Sequence, residues 1–448
     1  MKSPRSGGLT DFETSDRSCK GSYRRERLLK LTTSQASKYA ADCSTDALLS
    51  KKWSVIITAK ETAEMVSSTA RRLAPLFEQK LAAKKFLSQT SRAFSTSGNM
   101  QAQSRDQVIP NTSIKVFREI PVLRKWRSKQ LHDYRSVGLV PTMGALHEGH
   151  LSLIRLAARE NSSVVVSIYV NPTQFGEHED LDSYPKTWTK DVEMLRDLDM
   201  ELAADGSNLG KIAAVFAPTT EEMYPSGPPS QAINGKGSFI TITPVGEVLE
   251  GASRPTFFRG VATVCMKLFN IVTPEKVYFG QKDVQQTVVV KQMVKEFQMG
   301  TQVIVGDTMR EPDGLAMSSR NVYLGARRRK FGTVLLKTLR VAEAVYLRGG
   351  RTRDEILGPA KELSEVLLKG QLELKAEERV RFEVDYISLA DPDTMHELEH
   401  VDEAKGAILS GAVRMLPVEA PQAGEDLGLA DGPPVRLIDN IILKPLKA

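Results

Sequence analysis

The chain has 448 residues, room for two or three domains and a sizeable core. Its composition is that of a soluble globular protein, 41% hydrophobic and 26% charged, and no apolar run approaches the roughly 18–20 residues a membrane span needs. Three scattered cysteines, Cys19, Cys43 and Cys265, argue against a disulfide framework or a cysteine zinc site, and a net charge of +6, weighted toward the N-terminal hundred residues, reads as a targeting or disordered tail before it reads as a nucleic-acid surface.

Residues 1–64 are polar, mixed in charge and without sustained periodicity, the pattern of a disordered segment. The character changes at Met65. Over 65–98, Arg71, Arg72, Lys80, Lys84, Lys85 and Arg92 face a single acid, Glu78, while Leu73, Leu76, Phe77, Leu81 and Leu87 can form an apolar stripe. Basic, serine-rich, acid-poor and amphipathic is the description of a mitochondrial transit peptide. The alternatives are an amphipathic surface helix and a cytoplasmic protein. The division expected from this pass is an N-terminal extension over 1–112, a first globular domain over 113–306 and a smaller one over 307–448.

Within the globular part, 120–129 reads as a helix and 137–140 as a short, buried, β-branched strand. Pro-Thr-Met-Gly-Ala-Leu-His-Glu-Gly-His (141–150) follows, and 151–159 has apolar residues at helical spacing. The segment is therefore strand, glycine turn and helix, with His147 and His150 on one face of the first helical turn. A helix N-terminus favours anions, and glycines let a ligand approach the backbone, so a nucleotide phosphate fits there. A His-x-x-His taken alone is equally a pair of capping residues.

Further strands are expected at 164–170, 214–217, 239–245 (as an edge), 276–279 and 303–305, with helices at 191–198, 261–272 and 285–297. Strands alternating with helices predict an α/β fold with a doubly wound parallel sheet, and in such sheets ligands collect at the strands' C-terminal ends. The loops at 141–150, 171–176 and 280–286 all leave such ends and should converge on one cleft. After about residue 306 a loop, a basic run (327–330), two helices (the second over 353–368) and strands at 382–389, 406–414 and 435–442 make a small α+β domain. Residues 415–434 read as a flexible excursion within it.

The polar residues of these loops are cationic or hydrogen-bonding: His147 and His150; Asn171 and Gln174; Lys282 and Asp283; Ser318, Ser319 and Arg320. No nucleophile–base pair stands out, so covalent serine or cysteine chemistry fits poorly. The set suits charge stabilisation in a transfer at phosphorus.

Together with Asn-Pro-x-Gln-Phe-Gly (171–176), Asp-Leu-Asp-x-Tyr-Pro (180–185), Tyr-Phe-Gly-x-Lys-Asp-x-Gln-Gln (278–286) and Arg-Glu-Pro-Asp-Gly-Leu-Ala-Met-Ser-Ser-Arg-Asn (310–321), the stretch 141–150 resembles the pantothenate synthetase (pantoate–β-alanine ligase) family. The resemblance runs in order from about 114 to 442 and includes Asp385-Tyr386 and Leu-Ile-Asp-Asn (437–440). It implies a Rossmann-like nucleotidyltransferase fold of the HIGH type with a C-terminal lid domain. It also implies a two-step reaction: pantoate and Mg2+-bound ATP give pantoyl adenylate and pyrophosphate, and β-alanine then gives pantothenate and AMP.

The same resemblance implies roles for individual residues. His147, His150, Lys282, Ser318, Ser319 and Arg320 are the expected catalytic residues. Met143, Gly149, Gly280, Asp283 and Met317 join His150, Lys282, Ser318 and Arg320 around ATP, and Met143, Gln174 and Gln286 bind pantoate. Asn171, Tyr184 and Arg254 are candidates for the substrate pocket, with Tyr184 closing over it. Metal ligands stay unassigned, and a homodimer that binds no nucleic acid is expected. In one departure from the family pattern, Phe257 stands where a histidine is usual after Arg254.

Two rival readings stay open. One is an adenylyl- or cytidylyltransferase on the same fold, which would have no need of the two pantoate glutamines. The other is a non-enzymatic nucleic-acid binder using the basic tail.

Overall fold

The computed structural model describes residues 107–176 and 181–446; the 65–98 segment and Asp180 lie outside the described residues. The larger sheet contains β1 (Gln107–Val108), β2 (Lys115–Phe117), β3 (Val137–Thr142), β4 (Ser163–Ile168), β5 (Lys211–Phe216), β6 (Lys276–Gly280) and β7 (Gln302–Gly306) in the order β1-β2-β5-β4-β3-β6-β7. Every pairing is parallel except β1 with β2. Its helices are α1 (Ile120–His132), α2 (Glu148–Glu160), α3 (Trp188–Ala204), α4 (Thr220–Met223), α5 (Glu250–Ser253), α6 (Phe257–Val272) and α7 (Val284–Glu296).

This is the expected doubly wound α/β fold. The inner strands are apolar runs because both faces are covered: Leu139, Val140, Val164, Val165, Val166 and Val215 are fully buried. From β3 the chain first winds outward through β4 and β5, and later resumes on the other side at β6 and β7. The direction reverses between β3 and β6, which is where a sheet of this kind opens a crevice at its C-terminal edge. The turn after β3 and the loop after β6 are the 141–150 and 280–286 segments.

The second body contains α8 (Gly325–Phe331), α9 (Val334–Leu347) and α10 (Arg353–Leu372), packed on an antiparallel sheet of β8 (Phe382–Ala390), β9 (Ala407–Met415) and β10 (Val435–Leu443), in the order β10-β9-β8. It has its own apolar core, with Leu335, Leu339, Tyr346, Ile356, Leu389 and Leu409 buried in it.

Three expectations need correction. The edge strand β1 and the buried Ile109 fall inside the stretch assigned to the extension, so the folded body begins before 113. Residues 239–245 form no strand: the Ile240 N–H donates to Thr263 Oγ1 on α6, and the buried pair Ile242 and Val245, three residues apart, joins the apolar core to which α6 also contributes. The excursion after β9 is tied down. Arg328, 1% exposed, donates to the carbonyls of Tyr323, Leu324, Leu427 and Pro433, and Arg327 pairs with Glu425 at 2.5 Å. A buried guanidinium must find acceptors, and this loop supplies backbone ones.

Candidate active site

The turn after β3 is built around a carboxylate that the sequence did not single out. Gly144 (φ +79°) and Ala145 (φ +49°) are both left-handed, which turns successive N–H groups into one concavity. Asp191 of α3, 1% exposed, fills it: Oδ2 accepts from Ala145 N–H at 3.0 Å, Oδ1 from Leu146 N–H at 2.8 Å, and the Thr187 hydroxyl donates to Oδ1 at 3.0 Å. The first amides of α2 are spent as well. His147 Nδ1 accepts from Gly149 N–H at 3.2 Å, and His150 Nδ1 receives a longer 3.4 Å contact from His147 N–H. A Cβ on residue 149 would sit 2.9 Å from the His147 ring, so glycine is what lets that imidazole fold back over the helix end. Three of the backbone donors expected for an anion at this turn are thus taken by the protein itself, two by Asp191 and one by the His147 ring.

Both Nδ1 atoms accept, which assigns the proton of each neutral ring to Nε2. The rings lie 4.1 Å apart between centroids. Burial, and then the nearby Lys282 charge, push His147 down to about 4, with Asp283 and Glu311 opposing weakly. Burial, His147 and Lys282 push His150 to about 3. Near neutral pH both are therefore uncharged N–H donors.

These folded-state values lie below the ~6.5 of an unfolded histidine. As pH falls from about 6.5 toward 3–4 the unfolded chain takes up these protons first, so the pair contributes stability above pH 6.5 and loses it on acidification. The ring signals of both histidines, followed by NMR in the ligand-free protein, are expected to show no titration between pH 5 and 8. A midpoint above 6 for either would contradict this.

A cavity of about 730 Å³ opens beside the histidines, lined by Met143, His147, Gly149, His150, Gln174, Tyr184, Arg254, Gly280, Lys282, Asp283, Gln286, Met317, Ser318, Ser319 and Arg320. The three loops expected to converge do so, and the 317–320 loop joins them. Lys282 Nζ rests 3.3 Å from Asp283 Oδ1, and no side chain stands over Gly280. Ser318 Oγ accepts from Arg320 N–H at 3.2 Å and caps the short 3-10 turn Ser319–Tyr323. Ser319 donates to Ala145 O at 3.1 Å, which docks the 317–320 loop directly on the turn after β3. Arg320 lies 5.7 Å from the ring centres of both Phe175 and Tyr184, and Tyr323 O–H donates to Ser183 O. Tyr184 is buried at this junction instead of lying open at the rim.

The cavity lining also includes amide and apolar groups. Asn171 is 1% exposed and does not line the cavity; it stands behind Gln174, donating from Nδ2 to Gln174 Oε1 at 2.9 Å while its own Oδ1 accepts from Tyr224 O–H at 2.8 Å. That bond fixes the Gln174 amide with its NH2 group as the remaining donor. Arg254 donates to Gln174 O at 3.1 Å, and its guanidinium lies 3.7 Å from the Phe257 ring centre. The phenylalanine at the usual histidine position therefore supports Arg254 by a cation–π contact. Gln285, beside Gln286, turns inward: Nε2 donates to Val245 O and Val248 O, and Oε1 accepts from Glu250 N–H.

Asp191, Gln285, Asp439 and Asn440 are the supporting residues that sequence reasoning did not place. Gln285 in the 278–286 motif and the Leu-Ile-Asp-Asn run offered a signal, and neither carried a role by itself.

The family model for pantoate–β-alanine ligase matches residues 115–442, the stretch that holds the whole of this site. The chain belongs to the pantoate–β-alanine ligase family. It is 41% identical over 328 residues to the pantothenate synthetase of Roseiflexus castenholzii, covering 73% of this chain and 100% of that relative. It is 38% identical over 340 residues to the pantoate–β-alanine ligase of Saccharomyces cerevisiae, covering 74% of this chain and 100% of that one. The crystal structure of pantothenate synthetase from Thermus thermophilus matches with a TM-score of 0.56 at 34% identity, over 74% of this chain and 99% of that one. The Rossmann-like sheet with a smaller C-terminal domain is the fold of these relatives, and the chain is an enzyme.

Proposed function

We propose that this enzyme condenses pantoate with β-alanine to pantothenate in two steps, through pantoyl adenylate, releasing pyrophosphate and then AMP. The observation that carries the reading is one cavity lined by two chemically different sets of residues: the donors and cations His147, His150, Lys282, Ser318 and Arg320, and the amide and apolar groups of Gln174, Gln286 and Met143.

In the first step the pantoate carboxylate attacks the α-phosphorus of ATP. Nε2–H of His147 and of His150 donate to phosphate oxygens, and Lys282 exchanges its 3.3 Å contact with Asp283 for the charge that builds in the transition state. Gly280 and Asp283 hold the ribose. Gln174 and Gln286 take the pantoate hydroxyls and carboxylate, and Met143 packs on its methyls. In the second step the β-alanine amine attacks the acyl carbon and AMP leaves. Magnesium belongs to the substrate, arriving on the ATP phosphates; such ions need only one or two protein carboxylates, and Asp283 and Asp307 line the cavity. A homodimer is part of the same proposal, checked by light scattering.

The test is an assay of ATP and pantoate with and without β-alanine. AMP release that depends on β-alanine is the expected result. Folded protein that releases none would overturn the reading, and an adenylylated or cytidylylated product would favour a nucleotidyltransferase on the same fold.

Residues 65–98 are proposed to direct the chain to mitochondria, in line with their lying outside the 115–442 family match. Deleting residues 1–98 should leave activity intact and move a tagged protein to the cytosol. Unchanged location in cell images would end the targeting idea, and new loss of nucleic-acid binding would favour the basic-tail alternative.

A further inference from the structure

The small domain reaches into the site through two consecutive residues of β10. Asn440, 1% exposed, donates from Nδ2 to the carbonyls of Gln281 and Lys282, both at 2.9 Å, and its Oδ1 accepts from Gln281 Nε2 at 3.1 Å. Asp439, 5% exposed, forms a two-point pair with Arg310, 2.6 Å to Nη1 and 2.9 Å to Nη2. Arg310 belongs to the arm that carries the 317–320 loop: its Nη1 also donates to Gly314 O, and its backbone bridges Ala316, which immediately precedes Met317. Asp439 Oδ1 further accepts from Asn440 N–H at 2.8 Å, so the two residues are held as one unit. Neighbouring strand positions project to opposite faces, which allows one dipeptide to serve two loops.

We propose that Asp439 and Asn440 are positioning residues that set the Lys282 loop and the 317–320 loop at the distance adenylate formation requires; this rests on the functional reading above. Asn440 fixes the carbonyl of Lys282 itself, so the backbone from which the ammonium reaches is held by the small domain. Asp439 does the same for the base of the serine–arginine loop. Each loop belongs to a different part of the chain, and the shared anchor fixes their separation. A displacement of about 1 Å at such a site can cost roughly 10²-fold in rate.

The experiment is a double-mutant cycle on the full chain, reading single-turnover pantoyl adenylate formation in wild type, Asn440→Ala, Lys282→Ala and the double variant. Asn440→Ala is expected to slow the step by about 10- to 100-fold with the pantoate KM unchanged, because its hydrogen bonds go to Gln281 and Lys282 and not to Gln174 or Gln286. The double variant is expected to be no slower than Lys282→Ala alone. Multiplicative losses, or a raised pantoate KM with unchanged kcat, would overturn the positioning role. If Asn440→Ala does not fold, Asn440→Ser takes its place in the cycle; if neither folds, Asn440 is a residue of the fold and the proposal fails. A wild-type chain that makes no adenylate overturns the functional reading itself, whereas an active wild type with multiplicative losses overturns the positioning role alone.

Discussion

Replacing His150 with alanine lowers pantoyl adenylate formation by about 10²-fold or more, the magnitude typical of a lost preorganised donor. The argument rests on what this imidazole does in the folded chain. It is uncharged near neutral pH, because burial and the neighbouring His147 and Lys282 hold it at about 3. Its Nδ1 faces the His147 N–H, so Nε2 carries the proton and is the donor offered to phosphate. Its ring also packs on His147 at 4.1 Å, so truncation loosens the first imidazole while deleting the second donor. His150→Gln, which restores an amide N–H without the ring, should recover part of the loss. Pantoate-dependent exchange of pyrophosphate into ATP reads the step directly, and near-normal exchange in His150→Ala would refute the role.

The second large effect belongs to a residue that touches no substrate. Asp191→Ala leaves one buried amide, one half-buried amide and one half-buried hydroxyl without their acceptor. At ~1–3 kcal/mol for each buried group left unpaired, partly offset by relaxation, a loss of about 2–4 kcal/mol is expected. It should appear as a lower urea midpoint with an unchanged m-value. Adenylate formation should fall too, because the same amides hold the turn between Met143 and His147, and Ser319 docks on that turn through Ala145 O. Asp191→Asn keeps one acceptor oxygen and should lie between the two. A stability change below about 1 kcal/mol would mean that the left-handed turn holds itself.

How far these residues could be read in advance depended on where their partners lie. His147 and His150 lie three apart at a helix start, so spacing alone put them side by side; the structure makes His147 the cap of that helix and keeps the two rings together. The same spacing misjudged the backbone amides. It predicted open donors for an anion, because nothing local shows that a carboxylate 45 positions downstream fills the turn. Asp191 looked like an ordinary acid at the start of a helix, and the helix in fact begins at Trp188, three residues earlier. The strand expected at 239–245 failed for a related reason: apolar alternation in the sequence does not say what covers each residue, and the segment gives only Ile242 and Val245, three apart, to the core.

By itself the sequence determined the alternation of strands and helices, the loops that carry the polar residues, and the family. Those are local periodicities and contiguous motifs, set by backbone geometry and the burial of one face. Only the tertiary structure decided how these parts act on one another. It brought Asp191 to the turn before His147, fixed Asn171 behind Gln174 through Tyr224, and tied the 415–434 excursion to Arg328. It also brought Asp439 and Asn440 to the loops of Arg310 and Lys282, 129 and 158 positions away. Each of these is a hydrogen bond between groups brought together by the fold, and such bonds form only because folding buries the partners together, where leaving either unpaired would cost more than making the contact.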